Sequence, residues 1–346
     1  MSGTAPTLFR DSQPLLGLHQ TQDAITLIKE VFPKCLAKGL NLRRIAAPLV
    51  LPGGDGINDD LTGIERPVTF PVPGLNGARV EIPQSLAKWK RMALADLAVP
   101  PGCGILTDMH AIRPDETLDE LHSIYVDQWD WERTIRPEER SIIFLQRMVR
   151  EIYSAIRDTE EALARQFPAL EACLPDEITV LHADDLAREN PEMPPRHRED
   201  VATRRHGAVF LAGIGAPLCD GRPHDGRAPD YDDWITPNGR GRGLNGDILV
   251  WHEPLQRTVE LSSMGIRVTA GSLLEQLALH ACPERKSHFF HRRLLAGELP
   301  CCVGGGIGQS RMCMFLLRKI HIGEVQVSVW PAAMRRESAA AGVPLL

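Results

Sequence analysis

The chain has 346 residues, 43% of them hydrophobic and 24% charged, and a formal net charge of −6. That balance suits a globular protein of one large or two modest domains, and an acidic chain without a long Lys/Arg block argues against nucleic acid as its main partner. No run of about twenty apolar residues predicts a membrane span, the opening MSGTAPTLFRDSQ lacks the apolar run of a signal peptide, and eight cysteines without a CxxC pair predict free thiols; the expected residence is the cytoplasm.

Residues 1–20 read as a flexible polar arm ahead of a single domain over 21–346. Ile25, Ile28, Val31, Phe32, Leu36 and Leu40 recur at helical spacing, with Pro33 expected to kink or split that helix. Residues 45–51 read as a strand, Gly53-Gly54-Asp55-Gly56 as a loop, 66–83 with its four prolines as a hairpin-like extended region, and 84–94 as a helix. Two strands, 104–113 and 123–132, precede Pro137, which suits the first position of a helix. Ile142, Leu145, Val149, Ile152 and Ile156 mark the apolar face of that helix. Strands at 178–182 and 209–214 flank the polar stretch 189–206, expected on the surface, and a Gly/Pro/Asp-rich loop covers 215–246; a loop that long is usually functional. A hairpin follows at 247–252 and 258–263, then helices at about 271–280 and 284–296, a short strand entering Gly304-Gly305-Gly306-Ile307-Gly308, a helix from Gln309, and a last strand at 324–330. Many strands with few βα alternations point to an α+β fold with a mainly antiparallel sheet.

Four constellations can carry chemistry. The glycine run ahead of a helix start is either an anion or nucleotide cradle or a tight turn that binds nothing. It is neither a P-loop, for want of Gly-Lys-Ser/Thr, nor a dinucleotide fingerprint, since Arg311 stands where the third glycine belongs. Gln128, Asp130 and Glu132 alternate on one strand and share a face, with Trp129 and Trp131 on the other; that face is either a substrate site or a solvated polar surface over a tryptophan core. Asp247 and Glu260, on the two strands of one hairpin, are a Mg²⁺ pair if a nucleotide binds, or a rim without metal. His288 and His291, three apart on a helix without a nearby third ligand, read as a surface pair.

Several strings carry a resemblance. Arg113-Pro114-Asp115-Glu116 is similar to the second signature of class II aminoacyl-tRNA synthetases, GGGIGQSR at 304–311 to the third, and Ala47-Pro48-Leu49 to the proline of the first. The ordered strings GDGINDDLTG, SLAKWKR, HSIYVDQWDWER, RAPDYDDW, GLNGDILVW and ELSSMGIRV resemble the ammonia-dependent asparagine synthetase (aspartate–ammonia ligase) family, from about Ala24 to Pro344. The resemblance implies a class II synthetase-like catalytic domain, a seven- or eight-stranded sheet flanked by helices, a homodimer, and conversion of aspartate, ATP and ammonia to asparagine, AMP and pyrophosphate.

It also implies roles. Arg113 grips the α-phosphate of ATP; Arg311, with Gly306 and Gly308 beside it, takes the adenine and outer phosphates; Arg227 reaches the γ-phosphate; and Asp247 and Glu260 bind Mg²⁺. Lys90 and Arg267 match the pair that holds an aspartate carboxylate in the synthetase relatives. There the α-carboxylate is activated; here the side chain must be, so the pair is expected on the α-carboxylate with the substrate reversed. Ser85, Gln128 and Asp130 then meet the α-ammonium, and Asp59, with Asp232 as a second carboxylate, binds and deprotonates ammonium.

Overall fold

The computed structural model describes residues 14–59, 61 and 65–346. Helix α1 (Leu18–Leu40) turns Ala24, Ile28, Phe32, Leu36 and Leu40 inward at four-residue steps. Pro33 is itself buried in it and does not split it, and Asn41 stops it in the left-handed region at φ 55°. Leu18 and the buried Leu16 therefore belong to the folded body, so the described part of the expected arm is not an arm, and residues 1–13 lie outside the described residues. Ser141 caps helix α3 (Ile142–Gln166), its hydroxyl accepting from Phe144 N at 3.2 Å. Pro137 instead opens a separate 3₁₀ turn. Along α3, Leu145, Val149, Ile152, Ile156 and Leu163 are buried, and α1 and α3 lie side by side on the sheet.

That sheet has eight strands. In chain order they are β1 (Leu42–Arg44), β5 (Gly104–Ile112), β6 (Tyr125–Thr134), β7 (Thr179–His182), β8 (Ala208–Ala212), β9 (Asn245–His252), β10 (Arg257–Ile266) and β11 (Cys302–Gly308). Their spatial order is β1-β5-β6-β11-β10-β9-β8-β7, parallel only in the outer pairs β1/β5 and β7/β8. The expectation of a mainly antiparallel α+β sheet is met. A smaller sheet joins β2 (Leu51–Pro52), β3 (Thr69–Val72) and β4 (Ala78–Glu81); β3 and β4 form the expected hairpin, turning through Asn76 and Gly77.

Alternation along the strands sorts the two faces. Trp129 and Trp131 of β6, with Ile248, Val250, Val303 and Ile307, enter the core beneath α1 and α3, where Phe32 and Trp129 have ring centroids 4.7 Å apart. The opposite face carries the polar partners of these residues and is covered by helices α2 (Ala87–Asp96), α6 (Ala270–Leu279) and α7 (Phe289–Leu295). Among the described residues no helix is long and apolar enough to cross a membrane.

Some sequence expectations fail. Residues 45–51 are not a strand: β1 ends at Arg44 and the stretch through Pro48 is irregular. Residues 324–330 are not a strand either: a 3₁₀ turn over Ile322–Glu324 runs into irregular backbone. There Gln326 turns inward to Ser310 and Tyr125, while Val327 and Val329 stay exposed. The polar stretch after 182 holds two helices, α4 (Ala183–Glu189) and α5 (Pro195–His206), that apolar periodicity misses, since α5 buries Arg198, Ala202 and Thr203. Helix α9 (Ala332–Ala340) was likewise not expected.

Candidate active site

The glycine run is a strand, not a turn. Gly304, Gly305 and Gly306 lie within β11, paired to β6 and β10, and none has a positive φ. What they supply is missing volume. A Cβ on Gly304 would sit 1.9 Å from Glu132 Oε2, and one on Gly306 would sit 2.3 Å from Gln128 Oε1. The large polar residues of β6 therefore lean across a glycine floor. Helix α8 (Gln309–Leu316) starts at its end, and Asp127 takes the Ser310 N–H at 3.0 Å and its hydroxyl at 2.6 Å, fixing the turn that carries Arg311.

Two buried cations meet three carboxylates above this floor. The Lys90 ammonium donates to Asp130 Oδ1 at 2.5 Å, Trp131 O at 3.1 Å and Gly305 O at 3.0 Å. Arg267 forks onto Glu132 through Nε at 2.9 Å and Nη2 at 2.7 Å, and its Nη1 donates to Asp232. Burial raises the Asp130 and Asp232 carboxyls despite those cations, whereas for Glu132 the Arg267 fork outweighs burial and the carboxyl is lowered. A site with this excess of carboxylates favours an incoming ammonium group.

Lys90, Asp130, Asp232 and Arg267 line one cleft, about 1060 Å³ counting the space open to solvent, together with Ser85, Arg113, Gln128, Tyr231, Glu260, Ser263, Gly306, Gly308 and Arg311. Arg113, at the end of β5, donates through Nη2 to Gln84 O at 3.2 Å, and its buried Nε has no hydrogen-bond partner. Arg311 lies 3.6 Å from Glu260 Oε2. The two signature arginines thus open into the same space from opposite sides of β6 and β11.

The chain matches the aspartate–ammonia ligase family model over residues 19–342. It is 54% identical to an aspartate–ammonia ligase of Parabacteroides distasonis, the match covering 96% of each chain, and 52% identical to one of Bacteroides fragilis, covering 96% of this chain and 97% of that one. It belongs to the aspartate–ammonia ligase family. The enzyme shares its fold with class II synthetases: the asparaginyl-tRNA synthetase of Pyrococcus horikoshii, solved with asparaginyl-adenylate, aligns over 90% of this chain and 70% of its own, with a TM-score of 0.66 at 13% identity. That of Entamoeba histolytica aligns over 89% of this chain and 67% of its own, with a TM-score of 0.63.

The remaining expected residues of the enzyme sit less simply. Asp59 is buried and is not among the residues lining the cleft, its backbone N–H held by Asn58 Oδ1 at 3.0 Å and its carbonyl by Gln84 Nε2 at 3.0 Å. Asp247 and Glu260 are not cross-strand partners, since Asp247 stands opposite Ser263 and Glu260 opposite Leu249 on either side of a bulge between Glu260 and Ser262, but both line one cleft with Arg311. The cation at Asp247 is the chain's own Arg227, bonded to Oδ2. Burial, with Glu260 adding and Arg227 opposing, pushes the Asp247 carboxyl up to about 7. Its other oxygen, Oδ1, is buried without a hydrogen-bond partner. Among the described residues no three His, Cys, Asp or Glu side chains group as a metal site. His288 and His291 are not a surface pair: His291 is fully buried on Asp230 Oδ1 at 2.6 Å, and His288 packs against Gly56.

Sequence reasoning gave no role to Glu132 as the anchor of Arg267, to Asp127, or to Tyr231. Alternation with Asp130 already marks Glu132. Nothing local marks Tyr231, whose place depends on contacts from distant segments.

Proposed function

We propose that this cleft activates the side-chain carboxylate of aspartate with ATP, forming a β-aspartyl adenylate, and transfers the acyl group to ammonia to give asparagine, AMP and pyrophosphate. The observation that carries this reading is the convergence of Arg113 and Arg311 on the one cleft that also holds the Lys90, Arg267, Asp130 and Asp232 cluster. A carboxylate is a poor acyl donor until its oxygen is made a leaving group; charge that builds on the α-phosphate as pyrophosphate departs needs preorganised cations. Arg113, with an unused buried N–H, suits the α-phosphate, and Arg311 the outer phosphates and adenine, Gly306 and Gly308 keeping the floor open between them.

The aspartate end must bind the substrate in one orientation. Lys90 has its three N–H donors engaged, so it contributes charge and fixes Asp130 instead of gripping substrate directly. Arg267 bonds through three N–H groups and retains two of its five for the α-carboxylate. Ser85, Gln128 and Asp130 receive the α-ammonium, a second cation for the Asp130 carboxyl that burial raises despite Lys90. Asp59, with Asp232 as a second carboxylate, takes the proton from ammonium so that neutral ammonia can attack.

The residues fit Mg²⁺ carried in on the triphosphate. Asp247 offers a buried unpartnered oxygen and Glu260 a carboxylate at the cleft, and with no third protein ligand the rest of an octahedral shell falls to phosphate oxygens and water. Bound there, the ion would neutralise phosphate charge. Arg227, holding Asp247, fits the γ-phosphate side once that carboxylate turns to the ion. The family likeness supports a cytoplasmic homodimer acting on small substrates without nucleic acid.

Incubation with aspartate, ATP, Mg²⁺ and ammonium tests the reading. Asparagine and AMP are expected in equal amounts; ADP in place of AMP refutes adenylation.

A further inference from the structure

Outside the cleft a second arginine joins the same three segments that Arg267 joins within it. Arg140 follows the 3₁₀ turn after β6 and is not among the residues lining the cleft. It donates through Nη1 to the Arg267 carbonyl at 2.5 Å and through Nη2 to Asp233 Oδ2 at 2.6 Å. Asp233 is fully buried, adjoins Asp232, and also accepts the Thr236 N–H at 3.0 Å and the Thr236 hydroxyl at 2.7 Å. Its backbone N–H donates to Ile266 O at 3.0 Å, and Asp232 and Arg267 form a bridge between the two backbones. Arg267 thus links β6, through Glu132, to the long loop, through Asp232, while Arg140 links the turn after β6 to the Arg267 backbone and to the same loop.

We infer that Arg140 is a positioning residue for aspartate: it holds the Arg267–Asp232 pair in the one arrangement that leaves two Arg267 N–H groups for the substrate's α-carboxylate. This rests on the role given to Arg267 above. The planar fork of a guanidinium fixes direction as well as distance, so a carbonyl and a carboxylate bound by one fork move together. Through Arg140 the backbone that bears Arg267 and the backbone that bears Asp232 are therefore locked to each other. Without it, the buried Asp233 carboxylate loses its cation and the Arg267 carbonyl its donor. A buried carboxylate left in that state shifts toward other donors or water. Such a shift carries Asp232 with it, and Asp232 is bonded to Arg267 Nη1. A small displacement of a group that orients substrate is enough to weaken its grip. The triphosphate end is held independently, Arg113 on Gln84 O at 3.2 Å and Arg311 beside Glu260 at 3.6 Å.

Aspartate-dependent ATP–pyrophosphate exchange by the full-length enzyme tests this. Arg140→Lys keeps the charge but replaces the fork with a point donor. It should raise the KM for aspartate about tenfold and leave the KM for ATP within about twofold of wild type. Arg140→Met removes both bonds and should raise the aspartate KM further; if that variant does not fold, the lysine variant carries the test. An unchanged aspartate KM overturns the proposal, and so does a rise of both KM values together, which is what a merely structural role gives. Arg267→Lys distinguishes this from the reading beneath it. An aspartate KM unaltered in Arg267→Lys refutes Arg267 as the holder of the α-carboxylate, whereas one raised there and unaltered in the Arg140 variants refutes the positioning role alone.

Discussion

Replacing Gly304 by alanine places a methyl carbon 1.9 Å from Glu132 Oε2 and 2.7 Å from Arg267 Nη2, where ordinary contact begins near 3.4 Å. Glu132 is fully buried and both its oxygens are bound by Arg267, so it can yield only by breaking that fork. Breaking a buried pair costs about 3–5 kcal/mol when one partner is removed; a displaced carboxylate keeps some of its interaction, so about 3 kcal/mol is expected here. Gly306→Ala meets Gln128 Oε1 at 2.3 Å, the free end of a half-buried side chain that can swing aside. It should cost under about 1 kcal/mol of stability, yet raise the KM for aspartate by moving Gln128 into the cleft. Gly308→Ala meets nothing closer than Arg311 Cβ at 3.4 Å and should stay within about 0.5 kcal/mol of wild type. Urea unfolding at unchanged m value reads the stabilities, and ATP–pyrophosphate exchange at varied aspartate reads the site. A Gly304→Ala protein as stable as wild type, or Gly308→Ala as the worst of the three, would refute the view that these glycines exist to admit the β6 side chains.

Arg113→Ala should slow aspartate-dependent exchange by about 100-fold, the cost of about 3 kcal/mol for a lost charge clamp; normal exchange kinetics would remove it from the phosphate site. Asp59→Asn should keep exchange and lose amide formation, and if both survive unchanged its role as base is wrong. Asp230 predicts an acid transition. Burial raises its carboxyl, but the His291 hydrogen bond and the charges of Lys88, His291 and Arg285 prevail and hold it at about 2. With the folded value below the unfolded one, the unfolded chain takes the proton first as pH falls, so this stabilisation is complete above about pH 4 and lost toward about pH 2. It amounts to roughly 2.5 kcal/mol at 1.36 kcal/mol per unit. The stability gap between wild type and Asp230→Asn, followed by denaturant titration, should narrow by that much across the window; a constant gap counts against the assignment.

Local pattern alone was enough for much of this protein. The four-residue stepping of α1 and the apolar face of α3 are properties of contiguous sequence, as is the Trp/acid alternation of β6, because helix and strand periods act over a few residues. Motif strings likewise place Arg113 and Arg311 in one class of site before any fold is known. Pairing across long separations decided the rest. Strand-like residues 324–330 leave a 3₁₀ turn and send Gln326 inward to Ser310 instead of joining the sheet, and the glycine run becomes a strand because β6 and β10 flank it. Asp247 and Glu260 come to line one cleft, but the partner that Asp247 takes is Arg227 from the long loop. Glu132 meets Arg267 only when segments more than a hundred residues apart close on each other. Side-chain period is local physics; which carboxylate ends beside which cation is set by register and burial, and those belong to the assembled sheet.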